Sequence, residues 1–269
     1  MHSPDDDLVK ALCTAPRGWD FFRFASFQGM SPEQIASPLT TFELLANAVD
    51  VVSEWNDNRY DLQRQAAREG HQFVGLAREV LSTAGAAWWF DDLNQRPQLS
   101  AANPPRLTWD IRHPQPPGIP PTPGERYTQK PMWAQYTSTE HQGTSSFLFS
   151  AERLSGDLGP MAPGSRIQRL LVPLTARVLT IRTAMDWHNL CLSYAAPGER
   201  GEIVPDYSLV AQDWDAVHIS LGAMLCASLV RVTLPDGRWT EMTGWDAEMT
   251  VWIQDVLVES GESWLWQPG

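Results

Sequence analysis

The first third of the chain carries apolar residues at the spacing of a helix face. Five of them follow one another at steps of three or four residues: Phe42, Leu45, Val49, Val52 and Trp55. This repeat predicts one long amphipathic helix with Thr41 or Thr40 as its N-cap. Residues 8–12 and 73–81 predict shorter helices, and Ser31-Pro32-Glu33 is a typical helix start.

After residue 131 short β-prone runs replace the helical repeat. They predict strands at Met132–Tyr136, Ile167–Leu174, Val178–Ile181, Ala216–Ile219, Val230–Leu234, Trp239–Met242 and Thr250–Ile253. Two helices are expected between them, at 184–194 and at 205–214, with Pro205 in the first turn of the second. Pro235-Asp236-Gly237 predicts a hairpin turn.

Proline separates these two regions, because ten of the 21 prolines fall between Pro97 and Pro131. Proline lacks an amide donor, so this segment predicts a linker or arm, interrupted by one short strand at 107–111. The expected fold class is α+β: a helical region (1–96), a proline-rich linker (97–131) and a mainly antiparallel β-rich domain with a few helices (132–269).

Charge and composition narrow the function classes. The net charge is −12, lysine occurs only at Lys10 and Lys130, and no Lys or Arg follows Arg238. This balance argues against duplex nucleic acid and anionic membranes as partners. The N-terminus lacks the pattern of a secretory signal, no apolar run reaches membrane-spanning length, and the three cysteines form no CxxC pair. We therefore expect a cytoplasmic protein without a metal site.

The first candidate chemistry is a pair of carboxylates, Asp246 and Glu248, just before the strand at 250–253. In an extended segment both would point to one side, where paired carboxylates serve acid–base work or stabilise a cationic transition state. The other interpretation of this pair is a solvated strand edge.

A second candidate is the strand carrying Trp133 and Tyr136, which ends in three consecutive hydroxyl residues, Thr137-Ser138-Thr139. Such hydroxyls can bind a sugar or fix a carboxylate, although they can also simply close a strand. His218 is expected on the strand face opposite Val217 and Ile219, as a ligand, a base or a satisfied structural residue. GxGxxG, P-loop, GxSxG and HExxH motifs are absent from the sequence.

The order of Thr137-Ser138-Thr139 and the late Glu248 resembles the ADP-ribosyltransferase superfamily. That family has an Arg or His on an early strand, a Ser-Thr-Ser-like strand and a catalytic Glu late in the chain. Here the central motif begins with Thr rather than Ser, and Asp246 stands where many members carry Gln or Glu. The segments 130–139 and 245–252 also resemble paired motifs of uncharacterised bacterial and phage proteins.

The resemblance implies an ADP-ribosyltransferase-like fold and an NAD-dependent ADP-ribosyltransferase or NAD glycohydrolase. Glu248 would stabilise the oxocarbenium-like ribose, and Asp246 would orient the acceptor, a small molecule or a protein. The residues implied to bind NAD are Tyr136 or Trp133 at the nicotinamide, Thr137, Ser138 and Thr139, and an early basic group, for which Arg112, His113 and Arg106 are the alternatives.

Two other functions fit the same residues. The 13 tryptophans and the acidic C-terminal region suit a non-enzymatic binding module that uses Trp245 and Trp252. An enzyme of another class, for example in secondary metabolism, could use Asp246 and Glu248 as acid and base.

Overall fold

The computed structural model describes residues 5–52, 59–93, 96–102, 134–141, 143–153, 166–198 and 201–265. These residues form a mixed α+β structure, which confirms the predicted fold class. The α-helices are α1 (Asp6–Thr14), α2 (Pro16–Phe27), α3 (Pro32–Ile35), α4 (Pro38–Val51), α5 (Arg59–Glu69), α6 (Val74–Leu81), α7 (Ser146–Arg153), α8 (Ala184–Ser193), α9 (Tyr207–Asp213) and α10 (Leu221–Cys226), and 3₁₀ turns span Gly70–Phe73 and Ala84–Phe90.

The strands are β1 (Gln98–Ala102), β2 (Gln135–Thr139), β3 (Arg166–Leu171), β4 (Val178–Ile181), β5 (Ala195–Pro197), β6 (Ile203–Pro205), β7 (Ala216–Ile219), β8 (Arg231–Thr233), β9 (Trp239–Glu241), β10 (Met249–Trp252) and β11 (Val258–Leu265). A seven-stranded, mostly antiparallel sheet has the order β11-β3-β1-β2-β10-β7-β4. Two small antiparallel pairs, β5-β6 and β8-β9, accompany it.

The chain divides into two compact units, each assembled from three segments. The first comprises Met1–Asp91, Ile181–Asn189 and Ser220–Ala247, and the second Asp92–Thr180, Leu190–Ile219 and Glu248–Gly269. The first unit contains the N-terminal helices, and the second is built on the large sheet. The sequence-based division at 96 and 131 stays a prediction, since residues 103–133 lie outside the described part of the chain, as does the strand expected at 107–111.

Proline and short polar residues set the helix starts in the first unit. Ser31 caps α3 in a capping box with Gln34, as its sequence predicts. The predicted cap of α4 at Thr40 or Thr41 is wrong, because Pro38 occupies the first helical position and Ser37 is the N-cap. Thr41 lies inside the helix and donates a hydrogen bond to the Ile35 carbonyl instead, at 2.7 Å.

One error among the later helices also lies at a proline, and the helices α7 and α10 were not predicted. Pro205 ends β6 rather than opening a helix, and α9 begins at Tyr207 after its N-cap Asp206. The side chain of Asp206 accepts from the Ser208 amide at 2.9 Å, which satisfies an early helical donor. The turn predicted at 235–237 joins β8 and β9, and Gly237 adopts the positive φ of 87° that this turn requires.

The bounds of β2 differ from the predicted strand at 132–136. The strand runs from Gln135 to Thr139, so that Thr137, Ser138 and Thr139 form its end. Pairing decides this, because β1 and β10 hydrogen-bond to β2 from either side. Within the described residues, no helix has both the length and the apolar composition needed to cross a membrane.

A helical glycine allows close backbone packing in the first unit. A Cβ placed on Gly18 would lie 1.9 Å from the Leu12 carbonyl oxygen and 2.8 Å from that of Leu225. Both neighbours are backbone atoms, which cannot move aside as a flexible side chain can. Gly75, also in a helix, has no atom within 4 Å of such a Cβ.

We therefore expect Gly18→Ala to lower the free energy of unfolding by about 3 kcal/mol or more, since overpacking against backbone forces the helices apart. Gly75→Ala is the matched control and should be neutral or stabilising by about 0.5 kcal/mol. Urea denaturation of both variants measures the difference. Equal stability of the two variants would contradict the close packing at Gly18.

Candidate active site around Glu248

Glu248 immediately precedes β10, and the register of the sheet brings it to the three hydroxyl residues of β2. Thr250 pairs with Thr137 in the antiparallel ladder, and Val251 pairs with Tyr136. Continuing this register places Glu248 level with Thr139. The two motifs that are 110 residues apart in the chain at Ser138 and Glu248 therefore meet on neighbouring strands.

Three hydrogen-bond donors hold the Glu248 carboxylate. The Ser138 hydroxyl lies 2.7 Å from Oε2, and the Thr139 hydroxyl lies 2.8 Å from Oε1. The Thr139 amide approaches both oxygens, at 3.2 and 3.3 Å. The backbone carbonyl of Glu248 is held as well, since the hydroxyls of Ser138 and Ser146 lie 2.9 and 3.0 Å from it.

Burial sets the acidity of this group. Glu248 is only 2% exposed, and the loss of water raises the pKa of its carboxyl from 4.5 to about 7. The hydrogen bonds from Ser138 and Thr139 act in the opposite direction, because they favour the ionised form. A carboxyl with this pKa changes its protonation near neutral pH, as a general acid or base requires.

His218 completes the group from the other neighbouring strand, β7. It pairs with Thr250 in the ladder, and its Nδ1 lies 3.0 Å from the Thr250 hydroxyl and 3.8 Å from Glu248 Oε1. The predicted alternation of β7 places Val217 and Ile219 on the opposite face, and all three side chains are buried. Of the roles considered for His218, its position favours a partner of Glu248.

Gln98 on β1 is the member of the site that the sequence analysis missed. Its Oε1 accepts from the Thr137 hydroxyl at 2.8 Å, its Nε2 lies 3.3 Å from the Thr139 hydroxyl, and it is fully buried. The alternation Gln98-Leu99-Ser100 was the available signal, but a five-residue strand next to a proline-rich segment is a weak one. No motif marks this glutamine.

Asp246 is half-buried in the turn that follows Gly244, and it belongs to the first compact unit, whereas Glu248 belongs to the second. The extended backbone expected for both acids begins only at Met249, since residues 247 and 248 form a bend. Among the described residues, the side chains that act on the Glu248 carboxylate include Ser138, Thr139, Ser146 and His218. A role for Asp246 beside Glu248 stays a prediction.

The remaining predicted NAD-binding residues divide into two groups. Tyr136 lies in β2 on the strand face opposite Thr137 and Thr139, which is also the face of Ser138, and it is half-buried there. Burial raises the pKa of its hydroxyl. Trp133, Arg112 and His113 lie outside the described residues, as does the alternative Arg106.

The two tryptophans proposed for a binding face are both in the interior. Trp245 is fully buried and packs edge to face on Trp187 with ring centroids 6.2 Å apart. Trp252 is 2% exposed, packs with Leu93 and Ala216, and donates its indole N–H to the Thr137 hydroxyl at 2.8 Å. Their rings are therefore used for packing and for the polar network of β2.

Within the described part of the chain, no group of three or more His, Cys, Asp or Glu side chains is placed to hold a metal ion. Comparison of the chain with protein-family models, with curated proteins and with solved structures gives no match.

The raised pKa of Glu248 predicts a pH dependence of stability. The pKa of the Glu248 carboxyl is about 7 in the folded protein and 4.5 in the unfolded chain. The contribution of this carboxyl to the free energy of unfolding is therefore complete below pH 4.5 and is lost as the pH rises to about 7. The loss amounts to about 3 kcal/mol, and Glu248→Gln, which cannot ionise, should abolish it. Urea denaturation between pH 4.5 and 8 tests this.

Glu259→Gln provides the matched control, because Glu259 is exposed on β11. That variant should keep the pH dependence of the wild type. A stability difference between the wild type and Glu248→Gln that is constant over this pH range would show that the carboxyl titrates normally.

Proposed function

We propose that the protein cleaves the nicotinamide–ribose bond of NAD, as an ADP-ribosyltransferase or an NAD glycohydrolase, with Glu248 as its catalytic carboxylate. The observation that supports this most directly is that the hydroxyls of Ser138 and Thr139 donate hydrogen bonds to the Glu248 carboxylate, at 2.7 and 2.8 Å. A Ser-Thr-rich strand beside a late-chain glutamate is the arrangement that the family resemblance implies, and the two strands adjoin each other here.

The chemistry requires a fixed negative charge. As the glycosidic C–N bond breaks, positive charge develops on the ribose, and an ionised carboxylate held in place stabilises it without reorganising. The hydroxyls of Ser138 and Thr139 and the Thr139 amide provide this fixation at Glu248. The leaving nicotinamide departs as a neutral molecule, and the ribose is taken by an acceptor nucleophile or by water.

The low exposure of Glu248 adds a requirement. NAD can reach a carboxylate that is 2% exposed only when the side chains that cover it move. The binding of NAD is then coupled to the movement of the side chains that cover Glu248, and the site excludes bulk water until a ligand enters.

The early-strand position differs from the family pattern. The strand next to β2 on the side away from β10 is β1, and it presents Gln98 to Thr137 and Thr139, not an Arg or a His. The groups proposed to hold the pyrophosphate remain Arg112, His113 and Arg106, which lie outside the described residues. Tyr136 and Trp133 are the proposed contacts for the nicotinamide ring.

Release of nicotinamide from NAD by the purified protein, followed by chromatography, tests this proposal. Glu248→Gln should reduce the rate on the order of 100- to 1,000-fold, as removal of a preorganised charge-stabilising group does. The wild-type rate should rise with pH through 7 and level off about one pH unit higher, because the carboxylate must be ionised and its pKa is about 7.

Glu259→Gln carries the same chemical change on an exposed strand and should retain the wild-type rate. A folded wild-type protein that releases no nicotinamide and shows no NAD-dependent shift in Tm would refute the proposal.

A second function, acid–base catalysis without NAD, is favoured by one specific observation. The carboxyl of Glu248 has a pKa of about 7, and the imidazole of His218 lies 3.8 Å away, so the carboxyl has a second group beside it that can donate or accept a proton. In this second function Glu248 and His218 form the acid–base pair. The sequence predicted Asp246, not His218, as the partner of Glu248. Turnover of a metabolite mixture freed of NAD, lost in both Glu248→Gln and His218→Gln, would favour it.

A further inference from the structure

The orientation of the Gln98 amide follows from its surroundings. Its Nε2 lies 3.5 Å from the carbonyl oxygen of Arg96 and 3.4 Å from that of Pro97. Carbonyl oxygens only accept, so the amide nitrogen must face them, and Oε1 must point the other way. The amide orientation is assigned from these two contacts.

With Nε2 placed, the direction of the next hydrogen bond is determined. Nε2 donates to the Thr139 hydroxyl at 3.3 Å, so that oxygen is already an acceptor. The single hydroxyl hydrogen of Thr139 is then available for Glu248 Oε1, 2.8 Å away. Glu248 Oε1 therefore accepts a hydrogen bond from the Thr139 hydroxyl. If Oε1 carried a proton, that proton and the hydroxyl hydrogen of Thr139 would point at each other.

The hydrogen bonds around the other end of the Gln98 amide, at Oε1, also have a fixed direction. The indole N–H of Trp252 can only donate, and it donates to Thr137 at 2.8 Å, so Thr137 passes its own hydrogen to Gln98 Oε1. Thr250 donates to the same oxygen at 3.5 Å and can then accept from His218 Nδ1 at 3.0 Å. The bonds from Thr137 and Thr250 therefore run toward Gln98 Oε1, and the chain from Nε2 through Thr139 runs toward Glu248.

The other carboxyl oxygen, Oε2, has a different environment. The Ser138 hydroxyl has one hydrogen but two acceptors within reach, Glu248 Oε2 at 2.7 Å and the Glu248 carbonyl at 2.9 Å. A proton on Oε2 satisfies both, because Oε2 then donates to Ser138 and Ser138 donates to the carbonyl. When Glu248 ionises, Ser138 turns its hydrogen to Oε2, and Ser146 still serves the carbonyl at 3.0 Å.

We infer that Gln98 is a positioning residue for Glu248: its amide directs the Thr139 hydroxyl to Oε1 and leaves Oε2, beside Ser138, as the oxygen that gains and loses the proton. The titratable group that faces the carboxylate among its described neighbours is His218 on β7, whereas β2 and α7 contribute the hydroxyls of Ser138, Thr139 and Ser146. The catalytic consequence rests on the proposed function, in which Oε2 then becomes the oxygen that meets the substrate.

The test is a titration of the Glu248 carboxyl in the whole protein, by the chemical shift of its Cδ in ¹³C-glutamate-labelled samples without NAD. Loss of one signal in Glu248→Gln assigns the resonance. Gln98→Met removes the amide at similar size and should raise the pKa of Glu248 by about one unit, because the Thr139 hydroxyl is no longer directed at the carboxylate.

Gln98→Glu is the second variant, and it should raise the same pKa by at least as much, since it brings another carboxyl into the network. Thr137→Val is the matched control. It removes a buried hydroxyl from Gln98 Oε1 but leaves the bond from Nε2 to Thr139, and should shift the pKa by less than about 0.3 unit.

Two results would overturn the inference: an unchanged Glu248 pKa in both folded Gln98 variants, or an equal shift in Thr137→Val. A wild type that cleaves NAD through Glu248 but shows either result retains the proposed function and loses the role of Gln98. A wild type that is inactive on NAD but shows the expected shifts loses the proposed function alone.

Discussion

The structure around the candidate site depends on one physical constraint, which is that a carboxyl group cannot be buried without hydrogen-bond partners. Glu248 is 2% exposed, and removing a charge from water costs several kcal/mol unless the surroundings replace the lost hydration. Ser138 and Thr139 supply that replacement from the neighbouring strand. The four neighbouring strands β1, β2, β10 and β7 each contribute polar side chains to the hydrogen-bond network around Glu248: Gln98, Thr137 and Thr139, Thr250, and His218.

Burying the polar side chains of this network costs desolvation free energy, and this cost is relevant to the function of the site. A sheet interior built only of apolar residues would avoid the desolvation penalty, and replacing buried polar groups in this way is often neutral or stabilising. The second unit instead retains an acid whose pKa is raised to about 7 beside an imidazole. A perturbed carboxyl with a specific partner is typical of catalytic sites. The arrangement therefore supports the proposal that Glu248 is a catalytic group.

The sequence predicted the elements whose signals are local. The strands at 178–181 and 216–219 have the expected bounds, and the helix start at Ser31-Pro32-Glu33 and the 235–237 turn were confirmed, because caps and turns depend on residues a few positions apart. The errors also have physical causes. Pro205 is compatible with both a strand end and a first helical turn, and the cap of α4 was displaced by Pro38. The strands β1 and β11 carry no strong alternation and were missed.

For the site, the sequence by itself determined the residue types and their order: a hydroxyl-rich strand, a histidine strand and a late glutamate. It could not determine which of these side chains meet, because pairing between strands about 110 residues apart is set by register and by competition for the same sheet edges. Only the tertiary structure placed Glu248 against Ser138 and Thr139, brought His218 to within 3.8 Å, and added Gln98, whose role depends entirely on the carbonyls and hydroxyls around it. The pKa of Glu248 has the same origin, since desolvation is a property of the packed sheet and not of any residue in the chain.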